Sequence, residues 1–216
     1  DPDDKKGYYW LHLAAEQGNL DAQVQVGVMS QNGIGTPQNT DDAIMWWRRA
    51  ADQEDANAQF NLGYAYEAGI GVEKDFTQAV SFYTLAANQE FDDAQFRLGI
   101  SYDLGQGVEQ NDHLAAKCYK LAAEQGIAVA QYKIAEFYRV GAGVEQSNMD
   151  AAKWYELAAK QGNPEAQFCM GWMYSEGHGL HQDDDMAYRW LSLAAEQGVP
   201  NAQKALCGSY ANGYEF

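Results

Sequence analysis

Small and apolar positions recur along the chain at two nested spacings. Within short segments they fall at i, i+4, i+5 and i+8, as at Ala94, Leu98, Gly99 and Tyr102. That spacing puts them on one face of an α-helix. Over longer distances the whole pattern returns every 36 residues. An Ala-Gln dipeptide begins at Ala22, Ala58, Ala94, Ala130, Ala166 and Ala202, and an Ala-Ala at Ala14, Ala50, Ala86, Ala122, Ala158 and Ala194. A Gly-x-Gly begins at Gly33, Gly69, Gly105, Gly141 and Gly177. Three independent markers keep one register without an insertion, so the chain is expected to be an array of stacked units.

Each unit reads as two helices. The first starts near the Ala-Gln, and its glycine (Gly27, Gly63, Gly99, Gly171) lets the paired helix approach closely, which offsets a helix cost of about 1 kcal/mol. Ala135 takes that place in the fourth unit and Cys207 at the end of the chain. The Gly-x-Gly stops the helix, because glycine adopts the left-handed conformation without a Cβ penalty. Val72, Val108, Val144 and Leu180 then turn an apolar side chain back towards the core, and Asp75, Asn111, Ser147 and Asp183 supply caps for the second helix. That helix carries large aromatics among alanines, as at Ala43, Trp46, Trp47, Ala50 and Ala51, a pattern suited to interdigitating layers. It closes on Gln-Gly at Gln125, Gln161 and Gln197. Gln53-Glu54 and Gln89-Glu90 stand in the same place elsewhere and should cap less tightly.

The expected fold class is therefore all-α. One solenoid domain over residues 1–216 is divided into a half repeat 7–21, full repeats 22–57, 58–93, 94–129, 130–165 and 166–201, and a half repeat 202–216. A single unit cannot bury its apolar face alone, so units must stack. The opening half repeat (Trp10, Leu13, Ala14, Ala15) and the closing one (Ala202, Leu206, Tyr210) would each expose a stacking face. Either further repeats have been trimmed away or the ends pair with one another, which makes end-to-end self-association a second expectation. The chain begins Asp1-Pro2 without a methionine or an apolar leader, as a processed or trimmed chain would.

Composition narrows the partners. Of 216 residues, 31 are acidic and 14 basic, for a formal net charge of −17. Such a surface repels phosphate backbones and anionic lipid, which argues against nucleic acid and membranes and favours a protein with a basic face. Solubility of an extended array is the plainer account of the same charge. No run of 18 apolar residues is present to span a bilayer.

Chemistry-bearing motifs are sparse. The Gly-x-Gly turns lack the rest of a phosphate-binding fingerprint, no His-Glu-x-x-His occurs, and each of the four histidines sits at a different repeat position. No catalytic residue and no cofactor are expected. His178 and His181 near Asp183, Asp184 and Asp185 have a metal-like spacing, but a solvated loop is the better reading and no metal is assigned. The three cysteines form no framework. Cys118 occupies an aromatic column and should be buried, Cys169 occupies a polar column and should be exposed, and a Cys169–Cys207 bridge is sterically conceivable.

The string Ala-x-x-x-Leu-Gly-x-x-Tyr-x-x-Gly-x-Gly-Val, followed by Asp-x-x-x-Ala-x-x-Trp-Tyr-x-x-Ala-Ala-x-Gln-Gly, resembles the Sel-one-like repeat (SLR) family. The second unit shows it as Ala58, Leu62, Gly63, Tyr66, Gly69, Gly71 and Val72, then Ala79, Phe82, Tyr83, Ala86 and Ala87. The likeness extends over about residues 7 to 213, with departures at Ala135, Cys118, Cys207 and Thr36-Pro37. It implies a right-handed α-solenoid of 36-residue helix-turn-helix repeats, related to tetratricopeptide repeats, that scaffolds protein–protein contacts. Many bacterial members are exported, which implies a periplasmic or secreted setting, and some are immunity proteins against secreted toxins.

Columns that vary between repeats are free to recognise something. Six residues after the Ala-Gln alanine stand Val28, Tyr64, Ile100, Glu136 and Trp172, and nine after it Gln31, Glu67, Asp103, Arg139 and Ser175. A spacing of three puts both columns on one helix face. By the likeness to tetratricopeptide repeats that face lines the concave groove, which makes Tyr64, Glu67, Ile100, Asp103, Glu136, Arg139, Trp172 and Ser175 the candidate partner-binding residues. The competing reading packs these columns against the neighbouring second helix. The column two after the alanine (Val24, Phe60, Phe96, Tyr132, Phe168) should be core.

Overall fold

The computed structural model describes residues 1–211, and side chains as far as Cys207. The side chain of Tyr210 and residues 212–216, assigned above to the closing half repeat, lie outside the described residues. Among the described residues there are twelve helices and no strand: α1 (Pro2–Glu16), α2 (Leu20–Asn32), α3 (Thr40–Ala51), α4 (Ala56–Ala68), α5 (Phe76–Ala87), α6 (Asp92–Leu104), α7 (Asp112–Glu124), α8 (Ala128–Val140), α9 (Asn148–Lys160), α10 (Pro164–Glu176), α11 (Asp184–Glu196) and α12 (Pro200–Ala211). Even-numbered helices from α2 are the first helices of the pairs, and odd-numbered ones the second. The architecture is the all-α repeat array that the 36-residue period predicts. The chain forms two compact units, Asp1–Gln110 with α1–α6, and Asn111 onward with α7–α12. Within each, every helix packs against the next.

The turn chemistry follows the sequence. Gly69 ends α4 at φ 74°, donating its N–H to the Ala65 carbonyl at 2.8 Å, and Gly33, Gly105, Gly141 and Gly177 end the other first helices in the same left-handed conformation. The second glycine of the motif has a different reason. A Cβ on Gly107 or Gly143 would run into the backbone at Phe76 or Asp112, in the first turn of the preceding second helix. Each loop is thereby seated on the repeat before it. Val72, Val108, Val144 and Leu180 sit half-buried beneath these loops. Asp75 then accepts from the N–H groups of Thr77 (2.8 Å) and Gln78 (3.0 Å), and Asn39, Asn111, Ser147 and Asp183 cap their helices likewise.

Each core layer centres on one large residue of the second helix. Trp47, Tyr83, Tyr119, Tyr155 and Leu191 are buried, walled by the alanine columns. A side chain of that size contributes roughly 1.5–3 kcal/mol on burial. The glycine column meets these residues: a Cβ on Gly63 would lie 2.6 Å from the Tyr83 ring, and one on Gly171 would lie 2.6 Å from Leu191 Cγ. The preceding aromatic column is buried at Trp46 and less so further on. Phe82, Trp154 and Trp190 are half-buried, and so is Cys118, which was expected in the core. Burial still pushes the Cys118 thiol up to about 11.

Two helix ends differ from expectation. Glu54 and Glu90 adopt φ of 65° and 63°, the left-handed region that glycine occupies at Gly18, Gly126, Gly162 and Gly198. Their hydrogen bonds match the glycine caps, with Glu54 N–H to Ala51 at 2.9 Å against Gly126 N–H to Ala123 at 3.0 Å. These caps are not looser; they hold a residue with a Cβ in a conformation that disfavours one.

The glutamine of the Ala-Gln marker is buried at Gln23, Gln59, Gln95, Gln131 and Gln167. Gln131 shows its task. Its Nε2 donates to the Ala123 carbonyl at 3.1 Å, near the end of the preceding second helix, and its Oε1 accepts from Gln161 Nε2 at 2.8 Å. Gln161 also donates to the Gly126 carbonyl at 2.9 Å. Gln23 and Gln167 are bonded in the same way, each satisfying a helix-end carbonyl and being itself satisfied from the following helix end.

Candidate functional site

The first helices place the two variable columns on one face, as their spacing requires. In the first unit, Tyr64 on α4 is 40% exposed and Ile100 on α6 is half-buried. Glu67 is half-buried and tied down: it accepts the Tyr83 hydroxyl at 2.5 Å and pairs with Arg97 at 3.1 Å. The Arg97 guanidinium lies 5.7 Å from the centre of the Tyr64 ring. Tyr64, Glu67, Arg97 and Tyr83 therefore form one connected patch. Asp103, also half-buried, lies on the same helix as Ile100.

The second unit builds a similar arrangement from different columns. Glu136 accepts the Tyr155 hydroxyl and pairs side-on with Arg139, with Nε–Oε1 of 3.1 Å and Nη2–Oε2 of 2.8 Å. Both carboxylates thus do framework duty, satisfying the one polar atom of a buried tyrosine. Burial and the Glu67 hydrogen bond push the Tyr83 phenol well above its ordinary range. The Glu136 hydrogen bonds hold the Arg139 guanidinium above its own.

Trp172 on α10 is 38% exposed, and Ser175 donates its hydroxyl to the Trp172 carbonyl at 3.0 Å. Beside Trp172 lies an open hollow of 430 Å³, floored by Tyr132, Phe168 and Cys169 and edged by Glu136, Arg139 and Glu165. Tyr132 and Phe168 belong to the column expected to be core; they are half-buried and part of their surface lines the hollow. Cys169 is half-buried and packs against the neighbouring core cluster, not exposed as its polar column suggested. Its thiol is pushed up to about 12 by burial first and by Glu136 and Glu165 next, against Arg139. All three cysteines are free, so the conceivable Cys169–Cys207 bridge is not formed.

His178 was read as part of a solvated loop. It packs instead against Trp172, with ring centres 4.7 Å apart and the planes tilted by 39°, and its Nδ1 is buried without a hydrogen-bond partner. Among the described residues no group of three or more His, Cys, Asp or Glu side chains could hold a metal ion, and no helix is long and apolar enough to cross a membrane.

One column was passed over in the sequence. Leu85, Leu121, Leu157 and Leu193 recur every 36 residues on the second helices, yet each is exposed. The signal was the repeating leucine itself, but periodicity alone reads a repeated leucine as core.

Residues 1–19, 20–55, 56–91, 92–127, 128–163 and 164–199 each match the Sel1 repeat. A protective antigen with an SLR fold, present in uropathogenic Escherichia coli strains, is 35% identical at a TM-score of 0.91, with 94% of this chain and 44% of that one covered. The chain thus spans less than half the length of that relative. A Sel1 repeat protein from Oxalobacter formigenes is 32% identical at a TM-score of 0.81, over 99% of this chain and 91% of that one. An immunity protein from Pseudomonas aeruginosa is 24% identical at a TM-score of 0.55, covering 88% of this chain and 72% of that one, a likeness of fold. No curated protein matches the chain.

Proposed function

The chain belongs to the Sel1 repeat family, whose solenoids are in general non-catalytic scaffolds for protein interaction, and from that premise we propose that it binds a protein partner on the exposed face of its first helices. The observation that carries this reading is the placement of Trp172, exposed beside a 430 Å³ hollow. Large aromatics at the edge of a concavity are the residue type that dominates binding energy at interfaces. Tyr64, held against Arg97, offers a second such ring in the first unit. Glu67, Ile100, Asp103, Glu136, Arg139 and Ser175 surround these anchors as rim and support. With a net charge of −17, the surface favours a partner with a basic face, and binding should weaken as salt rises.

Affinity capture with the parent chain and with a Tyr64→Ala, Trp172→Ala variant, followed by calorimetry on the purified partner, tests the proposal. Loss of binding in a variant whose circular dichroism is unchanged supports it. Equal binding by both proteins sinks it and moves the site elsewhere, with the exposed leucines of the second helices as the next place to look.

Two narrower readings each have an observation behind them. The fold likeness to a Pseudomonas aeruginosa immunity protein favours a partner that is a secreted toxin, which co-expression would neutralise. Trp10 is 67% exposed, whereas Trp46, its counterpart 36 residues on, is 2% exposed. That favours end-to-end association through α1, which sedimentation would detect and which, being apolar, would persist at high salt.

A further inference from the structure

Three aromatic rings and two carboxylates meet at the hollow of the second unit, and their charges do not balance. Arg139 is the cation among its lining residues, and both of its hydrogen bonds go to Glu136. That pair is internally neutral. Glu165, in the first turn of α10, is exposed at the rim, and Asn163 rather than Glu165 caps that helix. Its carboxylate adds a negative charge to the hollow that no cation lining it offsets. The electrostatics of the lining agree. Burial pushes the Tyr132 phenol up to about 12, and Glu136 and Glu165 act in the same direction, as they do on Cys169. Burial opposes charge of either sign; the smaller part due to Glu136 and Glu165 opposes a further negative charge in particular.

We propose that this hollow receives a basic side chain, arginine or lysine, from the partner protein. The inference rests on the first-helix face being the docking surface, and adds to it the chemistry of the anchor. Tyr132, Phe168 and Trp172 supply ring faces for the aliphatic stem and for the cation. Glu165 supplies the opposite charge at the mouth. Hollow and chain carry the same sign of charge, so the partner's cation is drawn first to the protein and then to this position.

The test uses the purified chain labelled with ¹⁵N and three short peptides identical except for a central arginine, leucine or glutamate. The Trp172 indole N–H signal is assigned by its disappearance in Trp172→Phe. The arginine peptide should shift that signal and bind at least about threefold more tightly than the leucine peptide, and the glutamate peptide should leave it in place. Glu165→Gln, with an unchanged thermal melt, should weaken the arginine peptide and not the leucine one. Leucine binding as well as arginine would make the hollow a plain apolar pocket and overturn the proposal. So would an unmoved Trp172 signal at peptide concentrations up to about 5 mM. If the partner is lost by the Tyr64→Ala, Trp172→Ala variant but the peptide series fails, the docking face stands and only the charge assignment falls. If the partner is retained, the docking face itself is wrong.

Discussion

Gln89 donates from Nε2 to Oε1 of Gln59 at 2.9 Å, and the same amide reaches the Glu54 carbonyl at 2.8 Å. Thirty residues separate the two glutamines, as they separate Gln161 from Gln131 and Gln197 from Gln167. The two most regular markers of the sequence, Ala-Gln and the terminal Gln, are therefore partners across adjacent repeats. Removing one should cost more than a surface change. Gln131→Leu takes from the Ala123 carbonyl its side-chain donor, leaving it the Gly126 N–H, and takes from Gln161 one of its two acceptors. The expected loss is about 1–3 kcal/mol, read as a lower midpoint of urea unfolding by circular dichroism, whereas Glu145→Gln at an exposed loop position should leave the midpoint nearly unchanged.

The two glutamates in left-handed conformation make the opposite prediction. Glu90→Gly removes a Cβ from a φ of 63° without disturbing the cap hydrogen bonds. Stabilisation of about 0.5–1 kcal/mol should follow, the gain in backbone comfort exceeding the added entropy of the unfolded chain. Gly162→Ala is the mirror control. Nothing lies within 4 Å of its Cβ position, so its expected loss comes from φ alone.

Tyr83 should make the fold sensitive to alkali. A phenol whose pKa is higher folded than unfolded contributes stability that is complete below the ordinary value of 10.0 and is lost as pH rises through and beyond it. Stability of the parent should fall more steeply above pH 10 than that of Tyr83→Phe, measured by urea unfolding at a series of pH values. Parallel curves would mean that the buried phenol is not the titrating group.

The thiols should differ in reactivity. Burial holds Cys118 at about 11 and Cys169 at about 12, so the nucleophilic thiolate is scarce at pH 8. Relative to an ordinary thiol, alkylation of Cys118 by iodoacetamide should be slower by about a hundredfold. The exposed Cys207 should be labelled first, as peptide mapping by mass spectrometry would show.

The fold was legible because the period is uninterrupted: a marker that returns every 36 residues fixes helix, turn and stacking at once. The cap residues and the close-approach glycines follow from local chemistry and were read correctly. What escaped depends on partners distant in sequence. Glu67 and Glu136 looked like free recognition groups, and only the pairing of helices shows each satisfying a buried tyrosine. Cys169 took its polar column's reading, but α10 turns it towards the core beside Tyr132. His178 looked solvated because its counterparts in the other loops are varied, whereas here Trp172 packs against it. In both cases the column is half-buried in most repeats, as at Asn61, Arg97 and Lys133 for Cys169 and at Ile70, Gln106 and Ala142 for His178, so the polar or varied residue types were a poor guide to the position.

The glutamine pairing also bears on how such a chain lengthens. A buried amide that must find its mate thirty positions away tolerates no shift of phase between the two helices that carry them. A whole unit inserted at a joint brings one new acceptor and one new donor, and restores every older bond with a neighbour of identical geometry. Tandem duplication of the coding segment is thus the one kind of length change that leaves no orphan behind, and the unbroken step of the markers is the trace such growth would leave.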